Sequence, residues 1–156
     1  MRVVFMGTPD FSVPALERIA TEHEVVAVVT QKDKPKGRGM SVSYTPVKES
    51  ALKLNIPVLQ PDKVKEESFV DELRKLNPDV IVVIAFGQIL SNDILTLPKY
   101  GCINVHASLL PKYRGAAPIQ WAVIDGEEKS GVCTMKMDEG LDTGDIIDVD
   151  EITLDP

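Results

Sequence analysis

The sequence has 156 residues, of which 44% are hydrophobic, 26% charged and 5% aromatic. This composition is too apolar for a disordered chain, and the length suffices for one domain with its own core. No apolar run reaches the ~18 residues of a membrane span, and Met1 leads directly into a strand-like segment. We therefore expect a cytoplasmic protein with no signal peptide and no membrane partner. The net charge of −7 is local, because residues 138–156 hold eight acidic and no basic residues.

Strands and helices alternate along the chain, as apolar periodicity and turn residues indicate. In chain order we predict strands at residues 2–6, 24–30, 56–59, 80–86, 101–106, 132–137 and 145–152, and helices at residues 13–20, 47–54, 69–76, 92–97 and 118–124. Residues 31–46 lack an apolar period and are predicted to form a long loop. Loops of that length in compact domains are usually functional or disordered, so this one needs an explanation.

The alternation predicts an α/β fold with a Rossmann-like, doubly wound, mostly parallel sheet, and the short turns between the last strands predict an antiparallel edge. The strand at residues 80–86 is the most apolar and is expected at the centre. Ligands of such sheets bind beyond the carboxyl ends of the strands, so the site is expected there. Cys102 and Cys133 lie inside apolar strands and are interpreted as buried thiols.

The first turn argues against one class of enzyme. Gly7 stands alone where a dinucleotide-binding fingerprint needs three glycines, and Thr8 and Pro9 would obstruct the approach of a pyrophosphate. A nicotinamide-dependent oxidoreductase is therefore not expected, and Gly7 is interpreted as the tight exit from a strand. His23 lies in a charged turn and is interpreted as a solvated residue. His106 is then the one candidate acid or base near neutral pH.

The strand at residues 101–106 ends with an amide and an imidazole. Asn104 and His106 are two positions apart and so project from one face of the strand. A polar pair at the mouth of an apolar strand costs stability if it is buried without partners. The pair is therefore either satisfied locally or facing a ligand, and from these two residues alone both interpretations stay open.

Two irregular segments follow this strand. Residues 107–119 (A-S-L-L-P-K-Y-R-G-A-A-P-I) form either a plug of the core or a rim that holds a flat ligand, with Lys112 and Arg114 available to anions. Residues 137–145 (M-D-E-G-L-D-T-G-D) crowd four carboxylates into a glycine-rich loop. Their spacing departs from that of a calcium-binding loop, so a calcium site is not predicted.

Four motifs in this order resemble the folate-dependent formyltransferases. They are G-T-P-D-F at residues 7–11, N-V-H-A-S-L-L-P at residues 104–111, R-G-A-A-P-I-Q at residues 114–120 and G-L-D-T-G-D at residues 140–145. The resemblance runs along the whole chain. It does not by itself name the acceptor, because that superfamily also has members that act on glycinamide ribonucleotide and on sugar nucleotides, and formyltetrahydrofolate dehydrogenases.

The resemblance implies a formyltransferase fold and a catalytic set of Asn104, His106 and Asp142. Formyl would pass from 10-formyltetrahydrofolate to an amine without a metal ion. Asn104 and His106 would donate to the oxyanion, His106 would pass a proton to the leaving nitrogen, and Asp142 would orient His106 or accept a proton through water. The residues expected to bind the folate are Ser108, Leu109, Leu110, Pro111, Phe86, Gln88 and Leu90.

The long loop suggests which acceptor is used. Residues 31–39 (Q-K-D-K-P-K-G-R-G), running on to T-P-V-K, resemble the segment that methionyl-tRNA formyltransferases insert against the acceptor arm of tRNA. Residues 32–38 carry a net charge of +3, which suits a phosphate chain. Without the resemblance, such a charge run is more often a solvated loop. The acceptor implied is methionyl initiator tRNA, bound by Lys34, Lys36 and Arg38, and the protein is expected to be a monomer.

Members of the resembled family are longer than this chain. They carry a linker and a C-terminal β-barrel that contacts tRNA, and their Rossmann-like domain continues further. Residues 1–156 are therefore expected to be the catalytic domain, incomplete at its C-terminal end, with the barrel absent and the activity of the fragment reduced. Two alternatives stay open: a sugar-nucleotide N-formyltransferase, for which the basic loop would be dispensable, and a non-catalytic folate-binding or tRNA-binding module.

Overall fold

The computed structural model describes residues 1–35, 42–106, 129–137 and 146–153. The helix predicted near residues 118–124 lies outside these ranges. Apolar residues build the central strands β1 (Arg2–Gly7) and β6 (Val80–Ile84), which are buried on both faces. In β6, for example, four of five residues are buried, as expected for a parallel strand covered by helices on both sides.

The main sheet has seven strands in the order β5-β2-β1-β6-β7-β8-β9. The strands that the structure describes are β1 Arg2–Gly7, β2 Glu24–Val29, β3 Lys34–Pro35, β4 Val42–Ser43, β5 Val58–Leu59, β6 Val80–Ile84, β7 Cys102–His106, β8 Lys129–Lys136 and β9 Ile146–Thr153. Strands β5, β2, β1, β6 and β7 run parallel, whereas β8 and β9 continue the sheet antiparallel. The predicted doubly wound sheet with an antiparallel edge is confirmed.

The described helices are α1 Val13–Glu22, α2 Pro46–Lys53, α3 Glu67–Leu76 and α4 Asn92–Leu95. Local sequence explains where α2 begins and where α3 ends. Thr45 precedes α2, and its hydroxyl accepts a hydrogen bond from the backbone N–H of Lys48, while Pro46 occupies the first helical position. Asn77 ends α3 in the left-handed conformation, and Pro78 prevents its continuation.

The core lies on the two faces of the sheet. One face packs β1, β6 and β7 against α3 and α4, and it contains the buried Phe69, Leu73 and Ile94. The other packs β1 and β2 against α1 and α2, around Phe5 and Leu16. Successive side chains of a strand point to opposite faces of the sheet. Cys102, Asn104 and His106 therefore all lie on the α3–α4 side.

The order of the strands reverses between β1 and β6. The chain passes from β1 to β2 and β5 in one direction and returns to β6 and β7 in the other. The carboxyl ends of β1 and β6 lie side by side, because Gly7 is paired with Ile84. Crevices at such points are where open α/β sheets bind their ligands.

Several predicted boundaries need correction. The long loop is not wholly irregular, because β3 and β4 pair antiparallel within it. Helix α4 is shorter than predicted and ends at Leu95, and Pro98 disfavours a helical conformation at Leu97. Strand β5 covers only the second half of its predicted range, and β8 begins at Lys129 rather than at Val132. In the described part of the chain, no helix is long and apolar enough to cross a membrane.

Candidate active site at the carboxyl ends of the central strands

The predicted amide and imidazole lie at the carboxyl end of β7. Asn104 and His106 are 9% and 7% exposed, so both polar side chains are buried at the margin of an apolar face. Asn104 lies beside Val83 of β6 and opposite Met135 of β8, and His106 lies opposite Cys133. Both side chains make polar or electrostatic contacts within the fold. They are therefore held in place as well as brought together.

The strand next to β7 ends in a strained turn. Ala85, the first residue after β6, has a φ of +50°, and Gly87 has a φ of +101°. A left-handed alanine costs of the order of 1 kcal/mol and persists only where the surroundings hold it, which is commonest at functional sites. The strain thus marks residues 85–87 as a segment whose shape the fold imposes.

Two hydroxyls from the turn after β1 hold this strained segment. Thr8 Oγ1 donates to the carbonyl of Phe86 at 2.7 Å, and Ser12 Oγ donates to the carbonyl of Ile84 at 2.6 Å. Gly7 permits the close approach, since a Cβ there would lie 2.8 Å from the Ile84 carbonyl oxygen. The interpretation of Gly7 as a strand exit is therefore correct, with close packing against β6 as the additional reason for glycine.

The 86–90 segment supplies three of the predicted folate-binding residues. Phe86 and Leu90 are buried in the α3–α4 face, the face that also carries Asn104 and His106. Gln88 is half-buried, and its amide accepts a hydrogen bond from the backbone N–H of Val64 at 3.0 Å. The fold thus brings these predicted residues to the same edge and face of the sheet as the polar pair.

The other predicted site residues lie outside the described residues. They are Asp142, the four folate-binding residues Ser108, Leu109, Leu110 and Pro111, and the basic residues Lys36 and Arg38. Of the predicted tRNA-binding set, Lys34 is described: it lies exposed in β3. Within the described ranges, no group of three or more His, Cys, Asp or Glu side chains could hold a metal ion.

A polar cluster at the base of the β3–β4 pair was not predicted. Lys48 Nζ lies 3.0 Å from each carboxylate oxygen of Asp33 and 2.9 Å from Gln60 Oε1, and it lies 3.9 Å from the centre of the Tyr44 ring. Hydrogen bonds from Gln60 and Lys48 hold the pKa of Asp33 below its usual range. No local sequence pattern indicated this cluster, because Lys48 lies 12 positions from Gln60, and Asp33 lies 15 positions from Lys48 and 27 from Gln60.

Two further side chains test the sequence interpretations. Cys102 is buried, as predicted, and burial raises the pKa of its thiol to about 12. The side chain of Cys133 lies outside the described residues. His23 is half-buried in the turn before β2, far along the sheet from the carboxyl ends. A groove of about 350 Å³ between β5 and α3 is lined by Lys32, Gln60, Asp62 and Phe69 among others, and none of the predicted site residues that the structure describes lines it.

Comparison with known proteins identifies close relatives of the sequence. A protein of Clostridioides difficile (strain 630) named methionyl-tRNA formyltransferase is 63% identical over 156 residues, which are 99% of this chain and 50% of that protein. One of Agathobacter rectalis with the same name is 65% identical over 157 residues, covering 100% of this chain and 51% of that protein. The chain therefore spans about half the length of the curated relatives it matches.

Solved structures support the fold. Phosphoribosylglycinamide formyltransferase from Bacillus halodurans superposes with a TM-score of 0.79 at 23% identity, over 99% of this chain and 81% of that one. A sugar 3N-formyl transferase solved in the presence of dTDP and 5-N-formyl-THF gives 0.69 at 22% identity, over 99% of this chain and 53% of that one. The expected formyltransferase fold is confirmed. The family described as formyl transferase matches residues 1–156, and the chain belongs to that family.

Proposed function

We propose that the chain transfers the formyl group of 10-formyltetrahydrofolate to the α-amino group of methionyl initiator tRNA, for the initiation of translation. The observation that carries the proposal is the buried pair of Asn104 and His106 beside the strained turn at residues 85–87, at the end of the sheet where ligands of this architecture bind. The acceptor is proposed from the relatives, 57–65% identical, that are named methionyl-tRNA formyltransferase.

The reaction exchanges one C–N bond for another. The neutral α-amino group, whose usual pKa is about 7.7 to 8.0, attacks the formyl carbon, so no strong base is needed. The tetrahedral intermediate carries its negative charge on the former carbonyl oxygen. When it collapses, the bond from carbon to the folate nitrogen breaks, that nitrogen takes a proton, and the attacking nitrogen loses one.

The roles of the side chains follow from where charge develops. Donors aimed at the oxyanion are worth about 3 to 4 kcal/mol for a single group, and the Asn104 amide and the His106 imidazole are proposed as those donors. His106 also passes the proton to the leaving nitrogen, and Asp142 orients it or accepts a proton through water. Burial of both residues excludes water, which strengthens such interactions.

The two substrates are assigned to different surfaces. The folate is proposed to lie against Phe86, Gln88 and Leu90 on one side and Ser108, Leu109, Leu110 and Pro111 on the other. The tRNA phosphates are proposed to meet Lys34, Lys36 and Arg38. In this proposal, residues 1–156 are the catalytic domain of a monomeric cytoplasmic enzyme that needs no metal ion.

Formyl transfer by the complete protein tests the proposal. Methionyl initiator tRNA and an amino-sugar nucleotide compete as acceptors, with 10-formyltetrahydrofolate as donor. We expect transfer to the tRNA alone, and its loss in the Asn104→Ala/His106→Ala double variant. The matched control is His23→Ala/Asn92→Ala, which removes the same two residue types from outside the site. Transfer to the sugar nucleotide would move the assignment to the alternative acceptor, and folate binding with no transfer to either would contradict an enzymatic role.

A further inference from the structure

Gln31 joins two surfaces that the proposed function keeps apart. It lies two residues after the end of β2 and precedes Lys32 and Lys34 at the start of the β3–β4 pair, here called the basic hairpin. Its side-chain Oε1 accepts a hydrogen bond from Gln88 Nε2 at 3.2 Å. Its backbone carbonyl accepts another from Gln60 Nε2 at 3.0 Å. One residue therefore contacts both the 86–90 segment and the base of the hairpin.

The contact with the 86–90 segment is tight. A Cβ on Gly87 would lie 2.6 Å from Gln31 Nε2, so the side chain of Gln31 occupies space that the glycine leaves open. Gln88 is itself fixed, because its amide also binds the backbone of Val64 and that of Asp62. Displacement of residues 87–88 would thus displace Gln31, and displacement of Gln31 would disturb residues 87–88.

A second set of polar contacts holds the base of the hairpin. Two residues after Gln31, the Asp33 carboxylate accepts hydrogen bonds from Gln60 Nε2 at 2.9 Å and from Lys48 Nζ at 3.0 Å. Lys48 belongs to α2, and its ammonium lies over the ring of Tyr44, the residue that follows β4. The side chain of Lys48 is only 14% exposed, so its charge is used within this cluster and not offered to solvent. Both ends of the hairpin are therefore anchored at one place.

We propose that Gln31 is a positioning residue that couples the two binding events, so that a folate seated on the 86–90 segment raises the affinity of the basic hairpin for tRNA. This inference rests on the proposed function. A folate that restrains Gln88 also restrains Gln31 and the described residues at the base of the hairpin, so that less conformational entropy is lost there when tRNA binds. By linkage, tRNA raises the affinity for folate by the same factor.

The experiment measures one coupling factor. The dissociation constant of 5-formyltetrahydrofolate, a stable folate probe, is determined by calorimetry on the complete protein, with and without saturating methionyl initiator tRNA. The coupling factor is the fold decrease of this dissociation constant caused by tRNA. We expect a factor of at least five, within the range of about 5- to 150-fold that is usual for coupled sites. In Gln31→Met, which keeps the length of the side chain and loses the acceptor, the factor should fall below twofold while each ligand alone binds within threefold of the wild type.

Two further variants separate coupling from damage. Gln31→Glu retains an oxygen that accepts from Gln88, so we expect it to keep the coupling factor of the wild type. Lys34→Ala is the matched control on the hairpin: it should weaken tRNA binding and leave the factor unchanged. These opposite patterns distinguish a residue that transmits from one that binds.

The result that would overturn the inference is a factor of one in the wild type, or an unchanged factor in Gln31→Met. Formyl transfer is measured on the same wild-type preparation. Transfer with a factor of one refutes the coupling alone and leaves the proposed function standing. Absence of both transfer and folate binding refutes the two together.

Discussion

The amino ends and the carboxyl ends of the parallel strands, here called the amino edge and the carboxyl edge of the sheet, use polar residues in opposite ways. At the amino edge, the Arg2 guanidinium donates to the carbonyl of Leu76 at the end of α3 at 2.6 Å, and the backbone N–H of Arg2 donates to Asp79 at 2.8 Å. These contacts tie helix α3 and the start of β6 to β1. At the carboxyl edge, Asn104 and His106 are buried beside a strained turn. Polar groups thus connect elements of the fold at one edge, and at the other they form the proposed catalytic site.

The contrast predicts that the amino edge contributes mainly to stability and the carboxyl edge mainly to activity. An arginine that satisfies the last carbonyls of a helix lowers the energy of the folded state. A left-handed alanine raises it, and the hydroxyls of Thr8 and Ser12 are needed to keep that turn in shape. Substitutions at the amino edge should therefore change stability, and those at the carboxyl edge should change activity.

The largest effect is expected from Asn104→Asp, which keeps the shape of the side chain and replaces a donor by a carboxylate. Removing one oxyanion donor costs about 100- to 1,000-fold in kcat, and a negative charge in its place should cost more. We therefore expect formyl transfer to fall further in Asn104→Asp than in Asn104→Ala at pH 8. Equal rates in the two variants, measured by single-turnover transfer, would argue that Asn104 does not face developing negative charge.

Gly7→Ala should change stability and activity together, because Gly7 packs against the end of β6. The added methyl group would meet the Ile84 carbonyl oxygen at 2.8 Å and the Ser12 Cβ at 3.0 Å. Overpacking of this kind costs about 1 to 3 kcal/mol of stability, and it should also displace the 86–90 segment and raise KM for the folate. Thermal unfolding and steady-state kinetics check this, with Thr8→Ser as the local control that retains the hydroxyl. An unchanged KM would show that the end of β6 does not set the folate site.

Arg2→Met, at the amino edge, should lower stability without changing activity. It removes the guanidinium donors to α3, and because the side chain is 40% exposed we expect a loss of about 1 to 2 kcal/mol. The turnover number should not change, since the carboxyl edge is untouched. Urea unfolding followed by circular dichroism gives the first quantity and formyl transfer the second. A large fall in kcat without loss of stability would contradict the proposed division.

The smallest effect is expected at Cys102, on the same face as the site but deeper in the core. Burial raises the pKa of its thiol to about 12, so its thiolate fraction at pH 8 is lower than that of a free cysteine by on the order of 1,000-fold. Burial favours the neutral thiol. The free energy of unfolding should therefore fall only as the pH rises above about 8.5, the pKa of an unfolded cysteine. Iodoacetamide at pH 8 should therefore leave Cys102 unmodified in the native protein, as peptide mass spectrometry would reveal. Rapid labelling without denaturant would mean that the α3–α4 face opens.

Local patterns were sufficient for much of the fold. The apolar runs of β1, β2, β6 and β7 and the period of α3 were predictable because each depends on neighbours within one element. The spacing of Asn104 and His106 likewise placed them on one face, since alternation in a strand is a local property. The boundaries of α4, β5 and β8 were less accurate, because the ends of elements depend on what packs against them.

Periodicity and contiguous motifs encode the architecture, the family and the polar pair at the end of β7. Packing of distant elements brings Gln31, Gln60 and Gln88 together, pairs Lys48 with Asp33 and holds Ala85 in a left-handed conformation. These residues are separated by up to 57 positions along the chain. Their partners are set by the order in which the strands lie in the sheet, and no local pattern carries that information.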